Sequence, residues 1–156
     1  MAVPLSEEVV EFLASGVDAC VATRDRELEP EALLAMGIRA HADGRHVTVY
    51  LPAATAGVTR QNLGDNADIA ITLERASDAR AIQIKGKATN IRDSDETDRA
   101  LQAVFRAALI EQFALVGIPR ATTRRLVWWP SLAVDVEVRE VFQQTPGPKA
   151  GEPLPR

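Results

Sequence analysis

AIQIKGKATNI, residues 81–91, alternates more cleanly than any other stretch of the chain. Ile82, Ile84, Gly86 and Ala88 fall on one side; Gln83, Lys85, Lys87 and Thr89 fall on the other. A period of two marks a β-strand with one face in a core and one in water. Gly86 inside it predicts a bend, a bulge or a close approach by another group.

Upstream, across the polar turn RASDAR, Ile69, Ile71 and Leu73 alternate with Ala70 and Thr72, so GDNADIAITLE reads as a second strand. HVTVYLP alternates as well, and ADGR before it carries an Asp-Gly turn signal. ALLAMGIRAHA has helical propensity in its first half, but Gly37 weakens a helix there. Met36, Ile38 and Ala40 against Arg39 and His41 suit a strand. Residues 31–52 are therefore predicted to form a β-hairpin, and DACVAT before RDRELEP forms the first strand. Cys20 in that strand reads as a buried cysteine.

Downstream, Leu132, Val134, Val136 and Val138 are predicted to face inward, with Asp135, Glu137 and Arg139 in water. Ser6 caps a short first helix whose apolar face is Val9, Phe12 and Leu13, and Gly16 ends it. Ser94 opens a long helix with Leu101, Val104, Phe105, Ala108 and Leu109 as its stripe, stopped by Gly117 and Pro119. PRATTRRL holds a further short helix. The order of elements predicts a mainly β, α+β domain over residues 1–142, an antiparallel barrel without exposed edges. The Pro- and Gly-rich tail, residues 143–156, is expected to be extended, laid across a partner subunit.

The chain has 156 residues, a formal net charge of −4 and a pI near 5.2. That acidic balance argues against nucleic acid as a partner. One cysteine allows no internal disulfide, and no Cys/His cluster offers a zinc site. His41 and His46 flank the ADGR turn and lack a third ligand, so no metal is expected. The N-terminus lacks a basic segment followed by an apolar one, so no signal peptide is expected. No apolar run reaches membrane-spanning length. A cytoplasmic location is the default. Ser-His-Asp, Cys-His and P-loop patterns are missing, and no catalytic residue stands out.

Four stretches together carry a family resemblance: ADGRHVTVYLP, TRQNLGDNADIAITL, AIQIKGKATNI and VFQQTPGPKAG. In order and spacing they resemble the FMN-binding split-barrel proteins of the pyridoxamine 5'-phosphate oxidase-like superfamily, across roughly residues 5–142. The resemblance implies a split barrel, a homodimer and FMN at the dimer interface, its phosphate held by basic and hydroxyl side chains. It implies a flavin-dependent oxidoreductase acting on a small molecule, with the flavin carrying the chemistry.

Residue by residue, the chain departs from the family's phosphate clamp. Counting back from Asn62-Leu63, Thr59 stands at the lysine position and Gly57 at the serine position. EALLAMG has no arginine where many relatives have one. The implied cofactor contacts are Thr59, Arg60, Arg80, Gln83 and Lys85, with Trp128 or Trp129 near the ring. On a strand those two tryptophans would point to opposite faces. The altered clamp keeps a second reading open: a non-catalytic split-barrel dimer that binds haem, a deazaflavin or a protein partner.

Overall fold

A computed structural model describes residues 1–154. Seven strands form one antiparallel sheet in the order β2-β1-β5-β6-β7-β4-β3. They are β1 (Asp18–Arg24), β2 (Pro30–Ala35), β3 (Ile38–Ala40), β4 (His46–Pro52), β5 (Asp68–Arg75), β6 (Arg80–Asp93) and β7 (Ser131–Gln143). Four helices accompany them: α1 (Glu7–Leu13), α2 (Gly57–Asn66), α3 (Glu96–Leu115) and α4 (Arg120–Arg124).

β2 and β3 lie on opposite edges of the sheet, yet only Met36 and Gly37 separate them in the chain. One extended segment therefore belongs to both edges, and this curls the sheet into a barrel. The amide of Met36 donates to the Tyr50 carbonyl (2.8 Å) and that of Tyr50 to the Gly37 carbonyl (2.9 Å), tying the crossing point to β4. Gly37 is required there: a Cβ would stand 2.8 Å from Cδ2 of the Tyr50 ring.

This crossing corrects the expected hairpin over residues 31–52. Only β3 pairs with β4; β2 pairs with β1, from Ala19 with Ala35 to Arg24 with Pro30. The alternation marks strands correctly, but it does not say which partner each half takes. Inside the barrel, Val21, Ile71, Ile84, Val49, Val134 and Val136 are fully buried, so the alternation assigned to β5, β6 and β7 holds.

α1 matches the sequence expectation: the Ser6 hydroxyl accepts from the Val9 amide, and Val9, Phe12 and Leu13 are buried. α3 begins one residue later than expected, because Asp95 and not Ser94 caps it, in a reciprocal box with Asp98. Its inward face is Asp98, Gln102, Phe105, Leu109 and Ile110, while Leu101 and Val104 are exposed. Polar side chains take the inner positions of its first turns because they meet hydrogen-bonding partners there.

Cys20 is half-buried on the outer face, since its neighbours Ala19 and Val21 take the inward positions. Burial pushes its thiol up. The described part of the tail lies along its own chain. It folds back on β7, with the Gln143 amide donating to the Glu152 carbonyl (2.9 Å) and the Leu154 amide to that of Val141 (2.8 Å). Its last two residues, 155 and 156, lie outside the described residues. No described helix is long and apolar enough to cross a membrane.

Candidate functional site

The chain leaves β4 at Pro52, whose carbonyl accepts from the amides of Thr55 and Ala56 (both 3.1 Å), and α2 starts at once. Ala56 at the cap position has no side-chain acceptor, and the first helical turn holds no acid. The first bond into the helix comes from the Arg60 amide to the Ala56 carbonyl (2.8 Å). The amides of Gly57, Val58 and Thr59 thus open the helix without a cap, where the helix dipole favours an anion.

Thr59 is fully buried, and its hydroxyl has no hydrogen-bond partner among the described residues. Arg60 is exposed and forms no ion pair among the described residues. Beside this helix start lies an apolar hollow of about 290 Å³, walled by Leu33, Leu34, Met36, Pro52, Leu126 and Val127 with Thr55 at its edge. At the other end of α2, Asn62 donates to Thr23 (3.1 Å) and Asn66 to the Arg24 carbonyl (2.8 Å).

That far end borders a second depression, a cleft of about 440 Å³ on the outer face of β1, β5 and β6. Ala22, Ile69, Ala70 and Gly86 are among its lining residues, with Arg24, Lys85, Lys87 and Arg139 supplying cations. Asp68 neutralises two of these, Lys87 at 2.6 Å and Arg24 at 3.2 Å. Lys85 has no carboxylate partner among the described residues; its ammonium stands 5.0 Å from the centre of the Phe142 ring. Gln83 donates its amide to the Thr72 hydroxyl on the next strand (3.0 Å). Gly86 answers the sequence question: a Cβ there would meet the Glu137 carbonyl at 2.3 Å, at a β-bulge where the β6–β7 register shifts.

The sequence candidates therefore fall in separate places. Thr59 and Arg60 share the start of α2, and Gln83 and Lys85 share the outer face of β6. Arg80 lies against α1, paired with Glu8 (2.7 Å) and stacked 4.7 Å over the Phe12 ring. Trp128 and Trp129 are not on a strand, because β7 begins only after Pro130, which has no amide to give a ladder. Their rings tilt together at 6.1 Å, and Arg106 stands 4.6 Å over Trp128.

A buried polar network escapes the sequence patterns. Tyr50 donates to Asp98 (2.9 Å), Arg92 grips both oxygens of Asp98, and Arg39 donates its Nε–H to the Tyr50 hydroxyl (3.1 Å). Burial alone would raise the Asp98 carboxyl, but the hydrogen bonds from Arg92, the Asp95 amide and Tyr50 outweigh it and hold it at about 2. Burial pushes the Tyr50 hydroxyl up to about 12. Only the pairing of β3 with β4 and the packing of α3 would have revealed it. The Asp68–Lys87 pair escapes as well, although the two are directly opposite in the β5–β6 ladder.

No protein-family profile matches the sequence, and no curated protein is significantly similar to it. Solved structures do match. A candidate pyridoxamine 5'-phosphate oxidase from Lactobacillus delbrueckii superposes with a TM-score of 0.57 at 15% identity, over 89% of this chain and 93% of the other. An F420 reductase gives 0.54 at 15% identity, over 89% and 98%. An FMN-binding protein from Syntrophomonas wolfei gives 0.54 at 10% identity, over 86% and 85%. The chain has the fold of the split-barrel, pyridoxamine 5'-phosphate oxidase-like proteins, as the sequence resemblance implied.

Proposed function

We propose that this protein binds FMN between two copies of its chain and serves as a flavin-dependent oxidoreductase for a small molecule. The observation that carries this reading is the start of α2: three uncapped amides, and a buried Thr59 hydroxyl and an Arg60 guanidinium that have no partner among the described residues. A phosphate needs several converging donors, and amides, a hydroxyl and a guanidinium meet that need without the family's lysine. The adjoining hollow suits an apolar ring system in size and lining. Bound flavin would supply the electron or hydride transfer; Thr59 and Arg60 would hold its phosphate.

Arg80 fits the phosphate poorly, since Glu8 already occupies it. Lys85 lines the outer cleft that borders the far end of α2, a helix of ten residues and so about 15 Å long, and Gln83 lies two residues away on the same face of β6. They serve the same flavin as Thr59 only if a second copy brings them to it. Leu34, Val58 and Val127 are exposed apolar side chains beside the start of α2, which favours such a partner.

A deazaflavin is the second reading. Gly57 and Thr59 at the usual serine and lysine positions favour a cofactor that leans less on that clamp. An absorbance spectrum after mixing with FMN or deazaflavin and desalting tests both. Retained FMN bands support the first reading, and retention of deazaflavin alone supports the second. A blank spectrum with either ligand sinks both, and a haem band in the protein as isolated would replace them.

A further inference from the structure

A pocket bounded by α1, β3, β4 and α3, and open to solvent on the side of Leu101 and Val104, lies apart from both the start of α2 and the outer cleft. It holds about 210 Å³, and Leu13, Ile38, Leu101, Val104 and Phe105 give it an apolar lining. A cavity of about 150 Å³ lined by such side chains already takes up a benzene ring. This one therefore has room for a single ring with a small substituent. Leu101 (40% exposed) and Val104 (72% exposed) leave apolar surface uncovered beside it.

Arg39 and Tyr50 are the polar members of the lining. Tyr50 is committed: it accepts from Arg39 Nε and donates to Asp98. Asp98 is committed too, because Arg92 grips both of its oxygens. Arg39 is thus left with a full positive charge, an orientation fixed through Nε, and two terminal nitrogens without a partner among the described residues. A half-buried guanidinium with a free fork matches the two oxygens of a carboxylate.

We propose that this cavity binds a small aromatic carboxylate, with the ring among Leu13, Ile38 and Phe105 and the carboxylate on the Nη fork of Arg39. An aromatic ring alone would find the apolar walls but not the charge. An acetate-sized anion would find the charge but not the walls.

Sodium benzoate and its neutral counterpart benzyl alcohol are the probes, titrated into the full-length protein and followed by amide NMR shifts. Benzoate is expected to saturate shifts at Arg39, Tyr50, Leu101 and Val104 with a Kd on the order of 1 mM, about tenfold tighter than benzyl alcohol. Arg39→Met, which keeps the aliphatic stem, is expected to remove that preference while leaving benzyl alcohol binding unchanged. Equal affinity for the two probes in the unaltered protein overturns the proposal, whether or not the variant folds. So does an absence of saturable shifts at the cavity, or benzoate binding that survives Arg39→Met intact.

Discussion

A methyl group on residue 86 would stand 2.3 Å from the Glu137 carbonyl, where backbone and not a flexible side chain must give way. Gly86→Ala is therefore expected to lower stability by about 1–3 kcal/mol, read from the urea midpoint. Gly64→Ala in α2 is the contrast. Nothing lies within 4 Å of its added Cβ, and it should stabilise by about 0.5–1 kcal/mol. Thr59 separates packing from binding at the same scale. Thr59→Val removes a buried hydroxyl that has no partner, so the free protein should become no less stable. FMN affinity should nevertheless fall by about tenfold, the effect of one lost hydrogen bond to a charged phosphate. Unchanged FMN affinity in this variant would remove Thr59 from the site.

At the scale of elements, α3 shows why a helix can be legible while its inner face is not. Hydrophobicity alone puts Leu101 and Val104 on its buried stripe, because burial of Asp98 and Gln102 depends on partners from other elements. Tyr50 and Arg92 reach Asp98; Ser131 accepts from the amide of Gln102 (2.9 Å). The strands were more legible, since inward Val, Ile and Leu need no partner of a particular chemistry. The pairing of Arg80 is hidden from the sequence for the same reason as that of Asp98: its partner Glu8 is 72 residues away. The Asp98 anchor has a pH signature. Its carboxyl is held at about 2 against an ordinary 3.8, so its contribution is complete above about pH 4 and is lost as pH falls toward 2. That contribution is about 2 kcal/mol, because each tenfold gain in acidity on folding stabilises the ionised folded state by about 1.4 kcal/mol. Asp18 works the other way: burial raises it, so its protonation at low pH relieves a cost. Asp98→Asn should lower stability at pH 7 and flatten the acid limb of a stability profile. An acid limb as steep as the parent's would mean that other carboxylates set it.

At the scale of the molecule, the barrel is closed by one segment that changes sheet edge at Met36-Gly37, and this places the start of α2 beside β2 and the apolar hollow. The alternating strands made the architecture legible. The crossing was not, because a continuous extended segment carries no sign of where its partner changes. The same geometry leaves the proposed flavin donors divided between the start of α2 and the outer face of β6, and a homodimer, if it forms, would reunite them. Binding and association are then linked: FMN that contacts both chains must tighten the dimer by the factor by which dimerisation tightens FMN. Sedimentation velocity across a dilution series, with and without FMN, measures that linkage. The expected outcome is a monomer–dimer midpoint that moves to lower protein concentration when FMN is present, with FMN affinity weakening on dilution. FMN held equally well by the monomer would place the whole cofactor within one chain. The donors would then be the start of α2 and the hollow alone, and Gln83 and Lys85 would have no part in holding it.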